Sequence, residues 1–101
     1  MFDLIVRSTR VVTPQGVHAL DIGVRNGRIA VVAETGTLQR EEARRFVDAS
    51  EHIVMPGSID PHVHCSWPIP SRDGSTHLTT APPSDVSRAA LYGGTTTLID
   101  F

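Results

Sequence analysis

Two histidines separated by one residue are the side chains in this sequence best suited to chemistry. They lie in the string Asp60-Pro61-His62-Val63-His64, at the end of a run typical of a β-strand. In an extended strand, residues i and i+2 share a face and lie about 6.6 Å apart along the chain. Two imidazoles placed in this way can direct ring nitrogens at one metal ion, and histidine suits zinc and similar cations. The alternative is a chance pair of polar side chains at a strand end, since two histidines do not complete a metal site.

The other reactive side chains are weaker candidates. Cys65 follows His64 but faces the opposite side of the strand and has no evident base partner, so we expect a small core residue rather than a nucleophile. Trp67 is placed to line a pocket, although a tryptophan packed on its own loop fits equally well. The remaining histidines are expected at surface, turn or loop positions: His18, His52 and His77. Among them, His77 is the one that a pocket could include.

The residues around the histidine pair predict a strand, a loop, a helix and a second strand. The first strand covers residues 58–64, and a proline-rich loop covers residues 65–83. A short helix is predicted over about residues 85–92. Residues 95–101 are β-branched and apolar, which is typical of a strand covered on both faces. This order predicts a βαβ unit with parallel strands. Active sites in such folds lie at the carboxyl ends of the strands.

Local signals give the bounds of that helix. Ser84 is a good N-cap, and Asp85 in the first turn favours the helix dipole. Gly93-Gly94 ends the helix, because glycine suits a left-handed cap.

Residues 1–55 predict short strands joined by local turns. The strands cover residues 2–7, 10–13, 19–25, 28–33, 46–48 and 52–55. Asn26-Gly27 separates two of these strands and predicts a type I′ hairpin, because both central residues of that turn need a positive φ. Residues 34–45 are expected to form a solvated loop or one helical turn, and the last two strands are expected to pair with each other. The segment as a whole predicts a small sheet or half-sandwich of hairpins.

Length and composition exclude several classes of protein. The 101 residues carry nine arginines, no lysine and eleven acidic side chains, and no basic stripe suggests nucleic-acid binding. No apolar run approaches the roughly 20 residues that span a bilayer, and the first residues lack the apolar core of a signal peptide. One cysteine indicates a reducing, cytoplasmic compartment. A complete (β/α)₈ barrel, which needs at least about 200 residues, is too long for this chain.

Two longer strings surround these features, residues 54–64 (VMPGSIDPHVH) and residues 93–101 (GGTTTLIDF). They resemble the amidohydrolase superfamily, and most closely its hydantoinase and dihydropyrimidinase group. The hairpins that end in Val47-Asp48-Ala49 also resemble the β-sandwich segment that precedes the barrel in that group. The likeness covers nearly the whole chain but only about the first quarter of such an enzyme.

The resemblance implies roles for individual residues. His62 and His64 match the two histidines that ligate the more buried metal of a binuclear site, for which zinc is the expected ion. Asp60 matches an aspartate that lies beside the ligands or anchors the strand end, rather than a ligand. The loop that contains Trp67 matches a loop that shapes the substrate pocket. That loop departs from the group from Cys65 onward, so no substrate preference is carried over.

The same resemblance implies what these residues lack. The bridging ligand of the family is usually a carboxylated lysine, and this sequence contains no lysine. The further metal histidines and the catalytic aspartate lie on later strands of the family's barrel, so no catalytic residue is expected here. The sequence ends at Phe101 inside a predicted strand. We therefore expect a truncated piece of a longer protein, with at most a partial metal site and no activity by itself.

The predicted fold is α/β, with a β-sandwich segment over residues 1–55 and the first βαβ unit of an incomplete (β/α)₈ metallohydrolase barrel over residues 56–101. The predicted function is that of the N-terminal portion of a zinc-dependent, cytoplasmic hydrolase of C–N bonds in small cyclic amides or imides. The parent protein is expected to be a homotetramer without a nucleic-acid or membrane partner.

Three alternatives stay open at this point. The first is a non-catalytic dihydropyrimidinase-like scaffold protein, which the presence of both His62 and His64 disfavours. The second is another amidohydrolase, such as an allantoinase or a dihydroorotase. The third is a free-standing small β protein in which the His-x-His string is incidental.

Overall fold

A computed structural model describes residues 1–75 and 77–101 of the chain. These residues divide into two compact units, Met1–Pro56 and Gly57–Phe101, which are taken separately below. Within the described residues, no helix has the length and apolar character needed to cross a membrane.

The first unit is a mixed β-sheet built around one long strand. Its strands are β1 (Phe2–Thr13), β2 (Gly16–Arg25), β3 (Arg28–Glu34), β4 (Ala43–Asp48) and β5 (Ile53–Val54). The first three strands form an antiparallel meander, and β4 and β5 both pair in parallel with β1. The hairpin predicted at Asn26-Gly27 is confirmed, since these residues have φ values of 52° and 71°. A local turn signal was therefore enough to define the β2–β3 connection.

Two predictions for this unit are wrong. β1 is continuous where a break was expected after residue 7, and a register shift between Ser8 and Val11 absorbs the irregularity. The two strands expected over residues 46–48 and 52–55 do not pair with each other. Both pair with β1, because its second edge can take parallel partners that no turn signal announces. The described residues of this unit form one sheet, so the β-sandwich stays a prediction.

Apolar side chains and one ion pair stabilise the first unit. Phe2, Ile5 and Leu38 form its buried core. Asp21 is fully buried, and Arg7 donates two hydrogen bonds to its carboxylate, from Nε to Oδ1 at 2.7 Å and from Nη2 to Oδ2 at 2.8 Å. The Leu38 N–H donates a third at 3.0 Å. The bonds from Arg7, and then that from Leu38, lower the pKa of Asp21 despite its burial.

The second unit is the strand–helix–strand arrangement that the sequence predicts. β6 (Ser58–Val63) pairs in parallel with β9 (Thr95–Asp100), and the helix α1 (Pro83–Tyr92) lies between them in the chain and packs against β9. The approach of the two strands is so close at Gly57 that a β-carbon there would overlap the side chain of Thr96. Parallel pairing brings the carboxyl ends of both strands to one edge. The barrel that this unit would begin stays a prediction.

Three details of the second unit differ from the sequence prediction. The helix begins at Pro83 with Pro82 as its N-cap, and Ser84 lies inside the first turn, because a proline at the first helical position already has the required φ. The loop predicted over residues 65–83 contains an antiparallel pair, β7 (Pro68–Ile69) and β8 (Leu78–Thr79). β9 is not covered on both faces: Ile99 is 50% exposed, since α1 packs on one side only.

Candidate metal centre

The two histidines meet at the carboxyl end of β6. His62 lies within the strand, and His64 follows its last residue. Their Nε2 atoms are 3.1 Å apart, and their ring planes are inclined at 80° with centroids 4.9 Å apart. The two rings therefore converge through their Nε2 atoms, as two ligands of one ion must.

The strand is irregular where it carries the pair. Pro61 has no N–H to contribute to the ladder, and the register between β6 and β9 shifts between Asp60 and Val63. The Asp60 Oδ1 accepts a hydrogen bond from the backbone N–H of His62 at 3.1 Å. This contact directs the carboxylate at the backbone of the bend rather than at the imidazoles. It is compatible with the anchoring role that the resemblance implies for Asp60.

A backbone carbonyl selects the tautomer of His64. The Nδ1 atom of His64 lies 2.5 Å from the carbonyl oxygen of Phe101. A carbonyl oxygen only accepts hydrogen bonds, so Nδ1 must carry the proton. In the neutral ring, the Nε2 of His64 then carries a lone pair that accepts a hydrogen bond from the Nε2 of His62, 3.1 Å away. Metal-ligating histidines are commonly oriented by this kind of contact to their second nitrogen.

The distance between the two nitrogens can be compared with the geometry of zinc sites. Zn–N bonds of about 2.0–2.1 Å at a tetrahedral angle place two ligand nitrogens about 3.3–3.4 Å apart. The observed 3.1 Å needs only a small adjustment of the rings. The pair thus fits one ion of this kind. Among residues 1–75 and 77–101, no group of three or more His, Cys, Asp or Glu side chains could hold a metal ion.

Two aromatic rings flank the histidine pair. The ring of Trp67 lies on His64 with centroids 4.4 Å apart, and the ring of Phe101 lies 4.7 Å from His62 and 5.1 Å from His64. Trp67 also lines a groove in the β7–β8 hairpin together with His77. Sequence reasoning missed Phe101. The signal that could have found it is its position just after β9, since parallel pairing brings that end of the sheet to the end of β6.

Cys65 is turned toward Asp100. Its N–H donates to Asp100 Oδ1 at 3.1 Å, and its thiol also contacts that carboxylate. Burial, and then the charge of Asp100, raise the pKa of the thiol. A thiol with a raised pKa is a poor nucleophile, as the sequence predicts. The predicted core position is wrong, because Cys65 is only half-buried.

The other three histidines are exposed. His18 lies on β2, and His52 precedes β5 and contributes its carbonyl oxygen to a hydrogen bond from Ser8. His77 lies before β8 and lines the groove of the hairpin. The structure thus gives these side chains surface positions, as the sequence predicts.

An allantoinase and an L-hydantoinase match almost the whole chain. No family model matches it. It is 37% identical to an allantoinase of Salmonella choleraesuis over 98% of its own length and 19% of that protein. It is 37% identical to an L-hydantoinase of Paenarthrobacter aurescens over 99% of its length and 20% of the relative. The chain therefore spans about one fifth of the length of these relatives.

Two solved structures of D-hydantoinases also match almost the whole chain. A D-hydantoinase crystal structure matches 96% of the chain and 19% of that protein, with a TM-score of 0.79 and 31% identity. The D-hydantoinase (dihydropyrimidinase) of Thermus sp. matches 96% of the chain and 20% of that protein, with a TM-score of 0.77 and 28% identity.

A third solved structure is a zinc complex. The N-acyl-D-glutamate deacylase of Bordetella bronchiseptica, described as complexed with zinc, matches 60% of the chain and 13% of that protein, with a TM-score of 0.51 and 38% identity. Together with the matches over nearly the full chain, this likeness leads to one conclusion: the chain belongs to the amidohydrolase family, among relatives that are hydantoinases and allantoinases.

Proposed function

We propose that this chain is the N-terminal, metal-holding portion of a zinc-dependent hydrolase that opens cyclic amides of the hydantoin type. The observation that carries the proposal is the convergence of His62 and His64, whose Nε2 atoms lie 3.1 Å apart. The names of the hydantoinase and allantoinase relatives support the substrate class. The zinc complexed with the deacylase supports the choice of metal.

The residues of the chain would bind and orient a metal ion. His62 and His64 would donate their Nε2 lone pairs, and the Phe101 carbonyl would keep the proton of His64 on Nδ1. The rings of Trp67 and Phe101 would shield the flanks of the pair from water. A divalent ion bound there supplies a water molecule of lowered pKa and a Lewis acid for the substrate carbonyl.

Hydrolysis of an amide also needs a group that moves a proton to the leaving nitrogen. Two carboxylates beside the pair in sequence or across the sheet accept hydrogen bonds from the backbone, Asp60 from the N–H of His62 and Asp100 from the N–H of Cys65. We therefore propose that turnover requires residues beyond these 101 and that this chain alone does not hydrolyse cyclic amides. In the parent enzyme, the first unit would belong to a β-sandwich and the second would be the first βαβ unit of a (β/α)₈ barrel.

The sequence supports a small-molecule enzyme of the cytoplasm. Its single cysteine and the lack of a basic stripe favour that compartment and disfavour a nucleic-acid partner. Hydantoin and allantoin share a five-membered ring with amide C–N bonds, so the proposal names this ring class rather than one compound. A homo-oligomeric parent, and specifically a tetramer, is part of the same proposal.

A calorimetric titration of the 101-residue chain with ZnCl₂ tests the metal site. We expect saturable uptake of one zinc ion per chain. His62→Ala and His64→Ala should each weaken uptake at least tenfold, because each removes one of two ligands. His77→Ala is the matched control: it removes an exposed histidine of the same unit and should leave uptake unchanged.

Uptake that survives loss of His62 or His64, or that depends on His77, would contradict the proposal. Hydrolysis of hydantoin and allantoin, measured with zinc present, provides the second test. Clear turnover by the purified chain that disappears in His62→Ala would overturn the statement that residues beyond these 101 are required.

A further inference from the structure

The hydroxyl of Thr80 joins two backbone groups beside the histidine pair. Its Oγ1 donates a hydrogen bond to the carbonyl oxygen of His64 at 2.5 Å and accepts one from the N–H of Trp67 at 2.8 Å. A hydroxyl has one proton to donate and lone pairs to accept, so one side chain can make both bonds. The backbone N–H of Thr80 also donates to the carbonyl of Trp67 at 2.9 Å. Thr80 is half-buried and lies 16 residues from His64 in the chain.

The segment that Thr80 holds is a sharp turn. Ser66 has a φ of 51°, in the left-handed region that non-glycine residues adopt at a cost of about 1 kcal/mol or more. Such a conformation persists only where its surroundings determine it. Here the Ser66 N–H donates to the carbonyl of Ala81 at 3.0 Å, next to the contacts of Thr80. The turn brings the ring of Trp67 back onto the ring of His64.

Three contacts hold His64 in place. Its Nδ1 is held by the carbonyl of Phe101, and one side of its ring is covered by Trp67. Its own backbone carbonyl is held by Thr80. Without the hydroxyl, the His64 carbonyl and the Trp67 N–H would both lose a partner, and the strained turn at Ser66 could relax. The imidazole of His64 would then leave the position in which its Nε2 meets that of His62.

We propose that Thr80 is a positioning residue for the metal centre and that its hydroxyl, rather than its methyl group, keeps His64 in the ligating orientation. The inference rests on the proposed function, since it concerns how well the pair binds a metal ion. Groups that orient metal ligands typically change metal affinity 10- to 100-fold when they are removed. Thr80 contacts backbone atoms rather than the imidazole, so we expect the lower end of that range.

The test compares two substitutions at Thr80 in the full 101-residue chain, with zinc alone as the ligand. Thr80→Val keeps the shape and removes the hydroxyl, and Thr80→Ser keeps the hydroxyl and removes the methyl group. We expect Thr80→Val to weaken zinc binding about tenfold and Thr80→Ser to bind as the unmodified chain does. Thr79→Val makes the same chemical change one residue earlier on β8 and should have no effect. Circular dichroism of each variant, compared with the unmodified chain, reports whether the fold is retained.

The outcomes separate this inference from the proposed function. If the unmodified chain binds zinc through His62 and Thr80→Val binds equally well, the positioning role is wrong and the proposed function stands. Equal losses in Thr80→Val and Thr80→Ser would also overturn the role, because packing and not the hydroxyl would then be responsible. If Thr80→Val loses the circular dichroism spectrum of the fold, Thr80→Ser decides: unchanged affinity supports the role, and a tenfold loss overturns it. If the unmodified chain binds no zinc, the proposed function fails and this inference fails with it.

Discussion

The two units of this chain are stabilised in different ways. All the buried side chains among the described residues lie in the first unit, which contains the core of Phe2, Ile5 and Leu38 and the ion pair between Arg7 and Asp21. In the described part of the second unit, no residue is buried. That unit is held by the β6–β9 ladder and by hydrogen bonds between side chains and backbone.

The comparison shows how a site can be ordered without a core of its own. In the first unit, buried apolar side chains offset the free-energy cost of burying the charge of Asp21. That unit contains neither of the candidate ligands, His62 and His64. The second unit keeps its candidate ligands accessible and orders them with individual contacts between distant parts of its chain, such as the bond from His64 to the Phe101 carbonyl and the close approach of Gly57 to Thr96. Substitutions in one unit should therefore affect that unit and spare the other.

The largest effect is expected from Asp21→Asn. The substitution leaves the Arg7 guanidinium beside a neutral amide and disturbs the bond from the Leu38 N–H, and breaking a buried pair in this way costs about 3 kcal/mol. Hydrogen exchange measured by mass spectrometry should show lost protection in β1 and β2 and unchanged protection in β6 and β9. Glu51→Gln, at an exposed position of the same unit, is the control. Equal loss of protection in both units would contradict their independence.

Gly57→Ala should produce the converse result. The added β-carbon overlaps the side chain of Thr96, so β6 and β9 must move apart, at a cost of about 2 kcal/mol. Protection should fall in β6 and β9 and stay constant in the first unit. A second substitution, Thr96→Gly, removes the overlapping atoms and should restore part of the loss. If Gly57→Ala leaves the protection of β9 unchanged, the close approach at this position is not a stabilising contact.

The smallest effect is the pH dependence of the first unit. Because the hydrogen bonds from Arg7 lower the pKa of Asp21 in the folded state, the unfolded chain binds the proton more readily. This contribution is complete above the ordinary carboxyl range of about pH 4 and is lost as the pH falls through the lowered pKa of the folded state. Urea unfolding followed by circular dichroism between pH 7 and pH 2 should show a decline that is weaker in Asp21→Asn. Identical pH profiles would mean that Asp21 does not contribute.

Local signals made part of the fold predictable. The turn at Asn26-Gly27 and the βαβ order follow from residues that are neighbours in sequence, and both are present. The parallel pairing of β4 and β5 with β1 has no such signal, because a strand edge is satisfied by a partner from anywhere in the chain. The helix start was misplaced for a related reason: Ser84 is a good cap, but Pro83 suits the first helical position better.

The candidate site, like the fold, could be predicted only where its residues are neighbours in sequence. His62 and His64 could be identified because their spacing and the string around them lie within a few residues. The partners that orient them could not, since Phe101 contacts His64 across 37 residues and Thr80 contacts it across 16. Backbone carbonyls and turn hydroxyls are also not marked by residue type, so tertiary structure was needed to find them.

The central claim is that two imidazoles converge on one ion. Anomalous diffraction at the zinc edge, from crystals of the chain grown with ZnCl₂, tests it most directly. We expect one strong peak bonded to the Nε2 atoms of both His62 and His64, with the Nδ1 of His64 still on the Phe101 carbonyl. A peak at any other histidine, or imidazoles turned away from each other with no ion between them, would contradict it.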